Sequence, residues 1–178
     1  MAENNQQHLL YLRLCLEEAR KSPPKSHNFC VGALLLDTSV SPPRILCTGY
    51  TLELESNTHA EQCCFQKLAG SHNLREERVG EVLPEDGVVL YTTMEPCWKR
   101  SVGNMPCVQR IVRAGRVRTV VSGVREPEKF VGENKGKGTL EQAGIECIYV
   151  PGLEDEILKV ATAGHSSKEE VKEGPQGA

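Results

Sequence analysis

The first apolar positions of the chain recur at helical spacing. Charged residues fill the positions between and after them, and Ser22-Pro23-Pro24 follows, a sequence that stops a helix. The pattern therefore predicts an amphipathic helix whose apolar face holds Leu9, Leu10, Leu12, Leu16 and Ala19.

Two short apolar runs come next. They span Cys30 to Leu36 and Ile45 to Tyr50, and the segment between them, Asp37 to Arg44, is rich in serine and proline. Short apolar runs bounded by such residues are typical of strands. We predict a pair of strands with an irregular connection.

A second helical pattern begins at Thr58 and runs to Gly70, with Asn57 or Thr58 as a candidate N-cap and Gly70 as a stop. The polar segment Ser71 to Asp86 is predicted to be a loop. The apolar run Gly87 to Thr92 is predicted to be a buried strand, and it leads directly into Glu95-Pro96-Cys97.

The rest of the chain continues the alternation of helices and strands. Apolar residues from Cys107 to Ala114 form a helical stripe that Gly115 closes. Further along, the sequence predicts a strand at Thr119–Ser122, a short helix at Leu140–Ala143 and a strand at Glu146–Val150. This alternation indicates an α/β layered fold.

Residues 164–178 have few apolar side chains to bury, so we expect one domain, 1–163, and a disordered tail, 164–178.

The amino-acid composition and net charge of the chain make some classes of function less probable than others. The chain has 178 residues, with 21 Lys plus Arg against 24 Asp plus Glu, a net charge of −3. This balance disfavours nucleic acid as a partner, and a small molecule is the better expectation.

The N-terminus resembles no export signal and no apolar run is long enough to span a membrane, so we expect a cytoplasmic protein, with the nucleus as an alternative. In such a reducing compartment the eight cysteines are thiols rather than disulfides.

Histidine and cysteine residues, which can bind a metal ion, lie where predicted helices begin and where a predicted strand ends. His59-Ala60-Glu61 opens a predicted helix, Cys97 follows a predicted strand, and Cys107 opens the next helix. One imidazole and two thiolates suit Zn²⁺, and three protein ligands leave a fourth position for water, as in catalytic zinc sites. Zinc lowers the pKa of bound water towards neutrality, and Glu61 is the candidate catalytic proton carrier.

Cys63 offers an alternative ligand. It follows His59 by four residues, which would place both side chains on one face of a helix. We favour Cys107, because Cys63 and Cys64 continue the apolar face of their helix. The predicted metal ligands are therefore His59, Cys97 and Cys107.

The H-x-E and P-C elements resemble the cytidine deaminase-like superfamily of zinc deaminases. Its usual P-C-x-x-C is replaced here by a nine-residue spacer between Cys97 and Cys107. With that spacer, Thr93 to Cys107 resembles the fungal form of the riboflavin-pathway deaminases. The likeness extends to Asn28–Gly32, Gly123–Val131 and Gly138–Ile145.

The resemblance implies a three-layer α/β/α fold with a mixed five-stranded sheet flanked by helices, acting as a homodimer. It implies hydrolytic, zinc-dependent deamination at C2 of 2,5-diamino-6-(ribitylamino or ribosylamino)pyrimidin-4-one 5′-phosphate, giving a 5-aminouracil product and ammonia. The fungal order of steps favours the ribityl compound. Since relatives with a reductase or pseudouridine synthase domain are longer, we expect a deaminase alone.

The same resemblance suggests substrate contacts. Asn28 would bind the pyrimidine edge, and the phosphate and ribityl hydroxyls would meet residues of the spacer and of two later segments. In the stretch before the last short helix, Lys135 or Lys137 could bind the phosphate. The predicted substrate-binding residues are Asn28, Arg100, Gly103, Asn104, Glu126, Glu128 and Lys135.

Two other functions compete with this one. The first is deamination of another base, a nucleoside or a tRNA adenosine, although a tRNA enzyme would favour a basic surface. The second is a non-catalytic zinc protein that serves as a partner subunit. Glu61 argues against the second, because an inactive relative has no need of a proton carrier.

Overall fold

The computed structural model describes residues 2–100, 103–126 and 135–165. Its helices and strands alternate along most of the chain, as the sequence predicts. In chain order they are α1 (Ala2–Ala19), β1 (Gly32–Asp37), β2 (Arg44–Tyr50), α2 (Ala60–Ser71), a 3-10 helix (Glu76–Glu81), β3 (Val88–Met94), α3 (Cys107–Ala114), β4 (Val117–Val124), α4 (Gly136–Gln142), β5 (Glu146–Tyr149) and α5 (Glu154–Ala161).

The strands of the described residues form one five-stranded sheet in the order β2-β1-β3-β4-β5. β1 pairs antiparallel with β2 and with β3, whereas β3, β4 and β5 run parallel. The mixed sheet confirms the predicted fold class. Because the parallel strands end at one edge of the sheet, the loops that follow them meet there.

Helices cover both faces of the sheet. Ala33 and Leu35 of β1 face a core shared with α2, α3 and α4. Leu34 and Leu36 face the opposite core, to which α1 and α5 contribute. This alternation is the period of two that a strand imposes, and it confirms the three-layer arrangement.

The start of α2 differs from the prediction. Its N-cap is His59, not Asn57 or Thr58, and the His59 side chain makes no capping hydrogen bond. The hydroxyl of Thr58 instead donates to the carbonyl oxygen of Leu54, at 3.2 Å. Thr58 therefore stabilises the preceding turn, and the imidazole of His59 stays available for the site described below.

Other boundaries differ as well, and α4 begins at Gly136 rather than at Leu140, so Lys137 lies inside that helix. α2 continues past Gly70 to Ser71, and the predicted loop 71–86 contains the 3-10 helix. The sequence analysis also missed α5, although Leu153, Ile157 and Ala161 recur every four residues and are buried. That spacing is the available signal for a short amphipathic helix.

The first two residues of the predicted tail, Gly164 and His165, lie against the domain. A Cβ atom at Gly164 would lie 2.3 Å from the backbone nitrogen of Lys25, so the two segments are in close contact. The Nε2 atom of His165 lies 3.0 Å from the carbonyl oxygen of Asn28. The remainder of the predicted tail, 166–178, lies outside the described residues.

Close contact between α1 and β1 requires glycine at position 32. A Cβ atom there would lie 1.9 Å from the carbonyl oxygen of Cys15 and 2.5 Å from the backbone nitrogen of Ala19. We expect Gly32→Ala to lower the free energy of unfolding by about 1–3 kcal/mol, because a rigid backbone must move.

Gly70→Ala is the matched control, since a Cβ atom at Gly70 meets nothing within 4 Å. It should raise the free energy of unfolding by up to about 1 kcal/mol, the usual gain for alanine over glycine in a helix. Urea unfolding of both variants measures the two effects. Equal midpoints for the two variants would contradict the close approach of α1 to β1.

Candidate active site

Three segments converge at the edge of the sheet where β3 and β4 end. The backbone N–H of Glu95 donates to the carbonyl oxygen of Val124 at 2.9 Å, so the chain leaving β3 stays beside β4. Cys97 follows, and its carbonyl oxygen accepts a hydrogen bond from the N–H of Val108 in α3 at 3.3 Å. This contact brings the first turn of α3 against the loop after β3.

His59, Cys97 and Cys107 lie together at this meeting point. Their candidate ligand atoms all lie within 4.8 Å of one another, and Cys107 is fully buried. His59 Nδ1 is 3.5 Å from the sulfur of Cys97 and 3.5 Å from that of Cys107. Tetrahedral zinc, with bonds of about 2.3 Å to sulfur and about 2.05 Å to nitrogen, would place these atoms about 3.6 Å apart. The arrangement therefore fits a zinc ion.

The two thiols share a proton. The hydrogen bond from Cys107, together with the nearby His59, lowers the pKa of Cys97 well below its ordinary value. The same hydrogen bond, together with burial, raises the pKa of Cys107 well above its ordinary value. The pair thus favours the thiolate on Cys97 and the proton on Cys107, and a metal ion bound by both sulfurs would displace that proton.

Cys63, the alternative ligand, faces a different neighbour. Its thiol donates to the carbonyl oxygen of Tyr50 at 3.4 Å and packs at the junction of α2 and β2. It does not belong to the group formed by His59, Cys97 and Cys107. The structure therefore gives Cys63 a packing role.

Glu61 lies in the first turn of α2, beside the metal-binding group. It is only 3% exposed, and its Oε2 atom lies 3.4 Å from the sulfur of Cys107. Burial, and then the charge of Cys97, raises the pKa of this carboxyl. A carboxyl whose pKa is raised accepts a proton more readily than a free carboxyl does, which suits a group that acts as a general acid–base.

A cavity opens in front of His59, Glu61 and Cys97. Two predicted substrate-binding residues, Asn28 and Glu126, line it. The Nδ2 atom of Asn28 donates to Oδ1 of Asn57 at 2.7 Å, which fixes the orientation of the amide. Burial, and then the charges of Cys97, Glu61 and Glu95, raises the pKa of Glu126 to about 8.

The other predicted substrate residues lie elsewhere. Arg100 donates to Oε1 of Gln62 at 2.9 Å and to the carbonyl oxygen of Asn57, so its guanidinium joins α2 to the preceding loop. Gly103, Asn104 and Lys135 are exposed, and they are not among the residues that line the cavity. Glu128 lies outside the described residues.

The sequence analysis missed several residues that line the cavity. His27 and Phe29 flank Asn28, so their adjacency was a usable signal. His165 also lines the cavity, and its ring lies 4.9 Å from that of Phe29. No local pattern indicates His165, because the contact joins two segments that are 137 residues apart.

Among the described residues, no helix combines the length and the apolar character that a membrane span requires.

The chain matches the model of the family described as the cytidine and deoxycytidylate deaminase zinc-binding region, over residues 5–124. The match includes His59, Glu61, Cys97 and Cys107. The family description thus agrees with the geometric fit to zinc.

Three individual proteins are also similar to this chain. Diaminohydroxyphosphoribosylamino-pyrimidine deaminase of Schizosaccharomyces pombe is 35% identical over 164 residues, which are 90% of this chain but only 36% of that protein. Aspergillus oryzae Rib2 deaminase, a C-terminal deletion mutant in complex with DARIPP, is 48% identical, with 92% of this chain and 94% of that chain covered and a TM-score of 0.82. A deaminase/reductase of Thermotoga maritima shares the fold at 24% identity, with 90% of this chain and 41% of that chain covered and a TM-score of 0.69.

Proposed function

The chain belongs to the family of cytidine and deoxycytidylate deaminases with a zinc-binding region, and from that premise we propose its reaction. The reaction is hydrolytic deamination at C2 of 2,5-diamino-6-(ribitylamino)pyrimidin-4-one 5′-phosphate, a step of riboflavin biosynthesis. The observation that carries the proposal is the group His59, Cys97 and Cys107 with Glu61 beside it at the cavity. The substrate follows from the likeness to Rib2 deaminase and to the fission yeast deaminase.

His59, Cys97 and Cys107 would hold the zinc ion. When bound, zinc supplies a Lewis acid that makes water a nucleophile at neutral pH. Three protein ligands are the number found in catalytic rather than structural zinc sites. The open side of the group faces the cavity, where the substrate would be placed.

Glu61 carries the protons of the reaction. Its carboxylate takes one proton from the attacking water and delivers it to the ring nitrogen next to C2. It then passes the second water proton to the departing amine, so water and the amino compound give a C2 carbonyl and ammonia. Burial keeps Glu61 out of bulk water, so the transferred proton stays within the site.

Asn28 and Glu126 orient the substrate. The contact of Asn28 Nδ2 with Asn57 leaves Oδ1 of Asn28 as an acceptor for an N–H of the pyrimidine edge. Glu126, on the same cavity, would bind hydroxyls of the ribityl chain. Arg100, Gly103, Asn104, Glu128 and Lys135 stay predicted substrate contacts. The homodimer and the cytoplasmic location also stay predictions.

Comparing three substrates tests the proposed specificity. We expect kcat/KM to be highest for the ribityl phosphate, lower for the ribosyl phosphate and negligible for cytidine. A preference for the ribosyl phosphate would place deamination before reduction and overturn the proposed substrate. Activity on cytidine alone would contradict the riboflavin-pathway assignment, and a zinc-bound protein inactive on all three would indicate a binding role.

A further inference from the structure

The long spacer before Cys107 does not by itself fix the position of this metal ligand. In the usual motif of zinc deaminases two residues separate the two cysteines, whereas nine separate Cys97 from Cys107. A longer connection has more conformations available to it, so ordering it costs more entropy. Contacts with the rest of the domain must therefore hold Cys107 in place.

Two backbone contacts join the ends of the spacer to each other. The N–H of Cys107 donates to the sulfur of Cys97 at 3.4 Å, and the N–H of Val108 donates to the carbonyl oxygen of Cys97 at 3.3 Å. Both contacts run from one end of the spacer to the other. A further attachment is needed to fix these ends relative to α2, the helix that follows His59.

Arg110, in the first turn of α3, supplies part of that attachment. Its Nε atom donates to the carbonyl oxygen of Met105, two residues before Cys107, at 3.1 Å. Arg110 is only 9% exposed, so water competes little for this hydrogen bond. The Arg110 side chain thus fixes the backbone that leads into Cys107.

Glu76 of the 3-10 helix fixes the guanidinium in turn. Nη1 of Arg110 donates to both carboxylate oxygens of Glu76, and the two side chains are 10% and 7% exposed. Oε2 of Glu76 also accepts a hydrogen bond from Nε2 of Gln66, in α2, at 3.0 Å. The contacts therefore connect the backbone before Cys107 to the helix that begins after His59.

The burial of this ion pair points to a positional role. Removing two charges from water costs free energy, and apolar side chains of similar size are often at least as stabilising in such a place. Stability alone is then a weak reason for Arg110 and Glu76. A buried charged pair with fixed hydrogen bonds does, however, restrict the segments that it joins to one arrangement.

We propose that Arg110 and Glu76 are positioning residues for the metal site. They hold Cys107 in its place beside His59 before a metal ion binds, although neither belongs to the group of candidate ligands. A site that is ordered in advance loses little conformational entropy on binding, so its zinc affinity is higher. This inference rests on the metal site of the proposed function and is independent of its substrate.

Arg110→Lys tests the proposal. Lysine keeps the positive charge, but its single ammonium cannot replace the two separate nitrogens through which Arg110 donates to Met105 and to Glu76. We expect the zinc dissociation constant, measured by competition with a chromophoric chelator, to rise about ten- to hundredfold, the usual cost of removing a group that orients metal ligands. In cobalt-loaded protein, the thiolate-to-cobalt charge-transfer absorption should weaken, because Cys107 is held less firmly.

Arg113→Lys is the matched control. Arg113 lies in the same helix and also pairs with Glu76, at 3.4 Å, but none of its contacts with the described residues involves the spacer. Its zinc dissociation constant should equal that of the wild type. The positioning role is overturned if Arg113→Lys weakens zinc binding as much as Arg110→Lys does, or if Arg110→Lys binds zinc as tightly as the wild type.

A second variant, Glu76→Gln, approaches the same contacts from the other side. Glutamine keeps the shape and one acceptor oxygen but loses the charge that holds Arg110, so the zinc dissociation constant should rise in the same direction. Circular dichroism and urea unfolding of the metal-free proteins show whether each variant is folded. Lower stability of both variants with unchanged zinc affinity would reveal a merely structural role and overturn the proposal.

Zinc binding without substrate separates this inference from the proposed function. Affinity that falls in Arg110→Lys but not in Arg113→Lys supports the positioning role even if the wild type does not deaminate the ribityl phosphate. Turnover by an enzyme whose zinc affinity is the same with and without Arg110→Lys overturns the positioning role alone. A folded wild-type chain that binds no zinc overturns both.

Discussion

Replacing Glu61 with glutamine is expected to lower kcat by about 10²- to 10⁴-fold while the protein keeps its zinc. Glutamine has nearly the same shape, but it cannot take up the proton that deamination requires. The measurement is kcat on the ribityl phosphate together with the zinc content of the same sample.

Glu77→Gln is the control for this change. It alters an exposed carboxylate of the 3-10 helix, with a side chain that is 59% exposed, and should leave both kcat and zinc content unchanged. Turnover of Glu61→Gln at the wild-type rate would contradict the proton-carrier role. Loss of zinc in Glu61→Gln would instead indicate that Glu61 supports the metal.

Replacing Cys107 with alanine should remove most of the bound zinc and, with it, the activity. His59 and Cys97 would be left as two ligands, fewer than the three or four found in zinc sites. Zinc content after dialysis, measured by atomic emission, is the direct observation.

Cys63→Ala is a closely matched control, since Cys63 and Cys107 are both 0% exposed and the change removes the same atom. We expect Cys63→Ala to keep its zinc and to lose some stability through the small cavity left in the core. Loss of zinc on Cys63→Ala, with zinc retained on Cys107→Ala, would contradict the proposed ligand set.

Local patterns predicted the parts of the fold that the site depends on. The stripe from Cys107 to Ala114 predicted α3, and Gly115 closes that helix with a positive φ of 70°. Glu95-Pro96-Cys97 was expected directly after β3, and it lies there. Each of these features is encoded by neighbouring residues, so periodicity and capping rules suffice to find it.

Long-range contacts account for what the sequence did not predict. The N-cap position of α2 was wrong, because Thr58 bonds back to Leu54 and leaves the cap to His59. The position of His165 against Asn28 depends on α5, which the sequence analysis missed. The contacts of Arg100 with Asn57 and Gln62 likewise join segments that are far apart in the chain.

Ammonia release from the ribityl phosphate is the most direct test of the central claim, that this chain is a zinc-dependent deaminase. The account predicts one ammonia for each uracil product with zinc-loaded protein. It also predicts loss of this activity on chelation and its return when zinc is added back. Zinc-loaded, folded protein that releases no ammonia from this substrate, or release that survives complete removal of zinc, would contradict the claim.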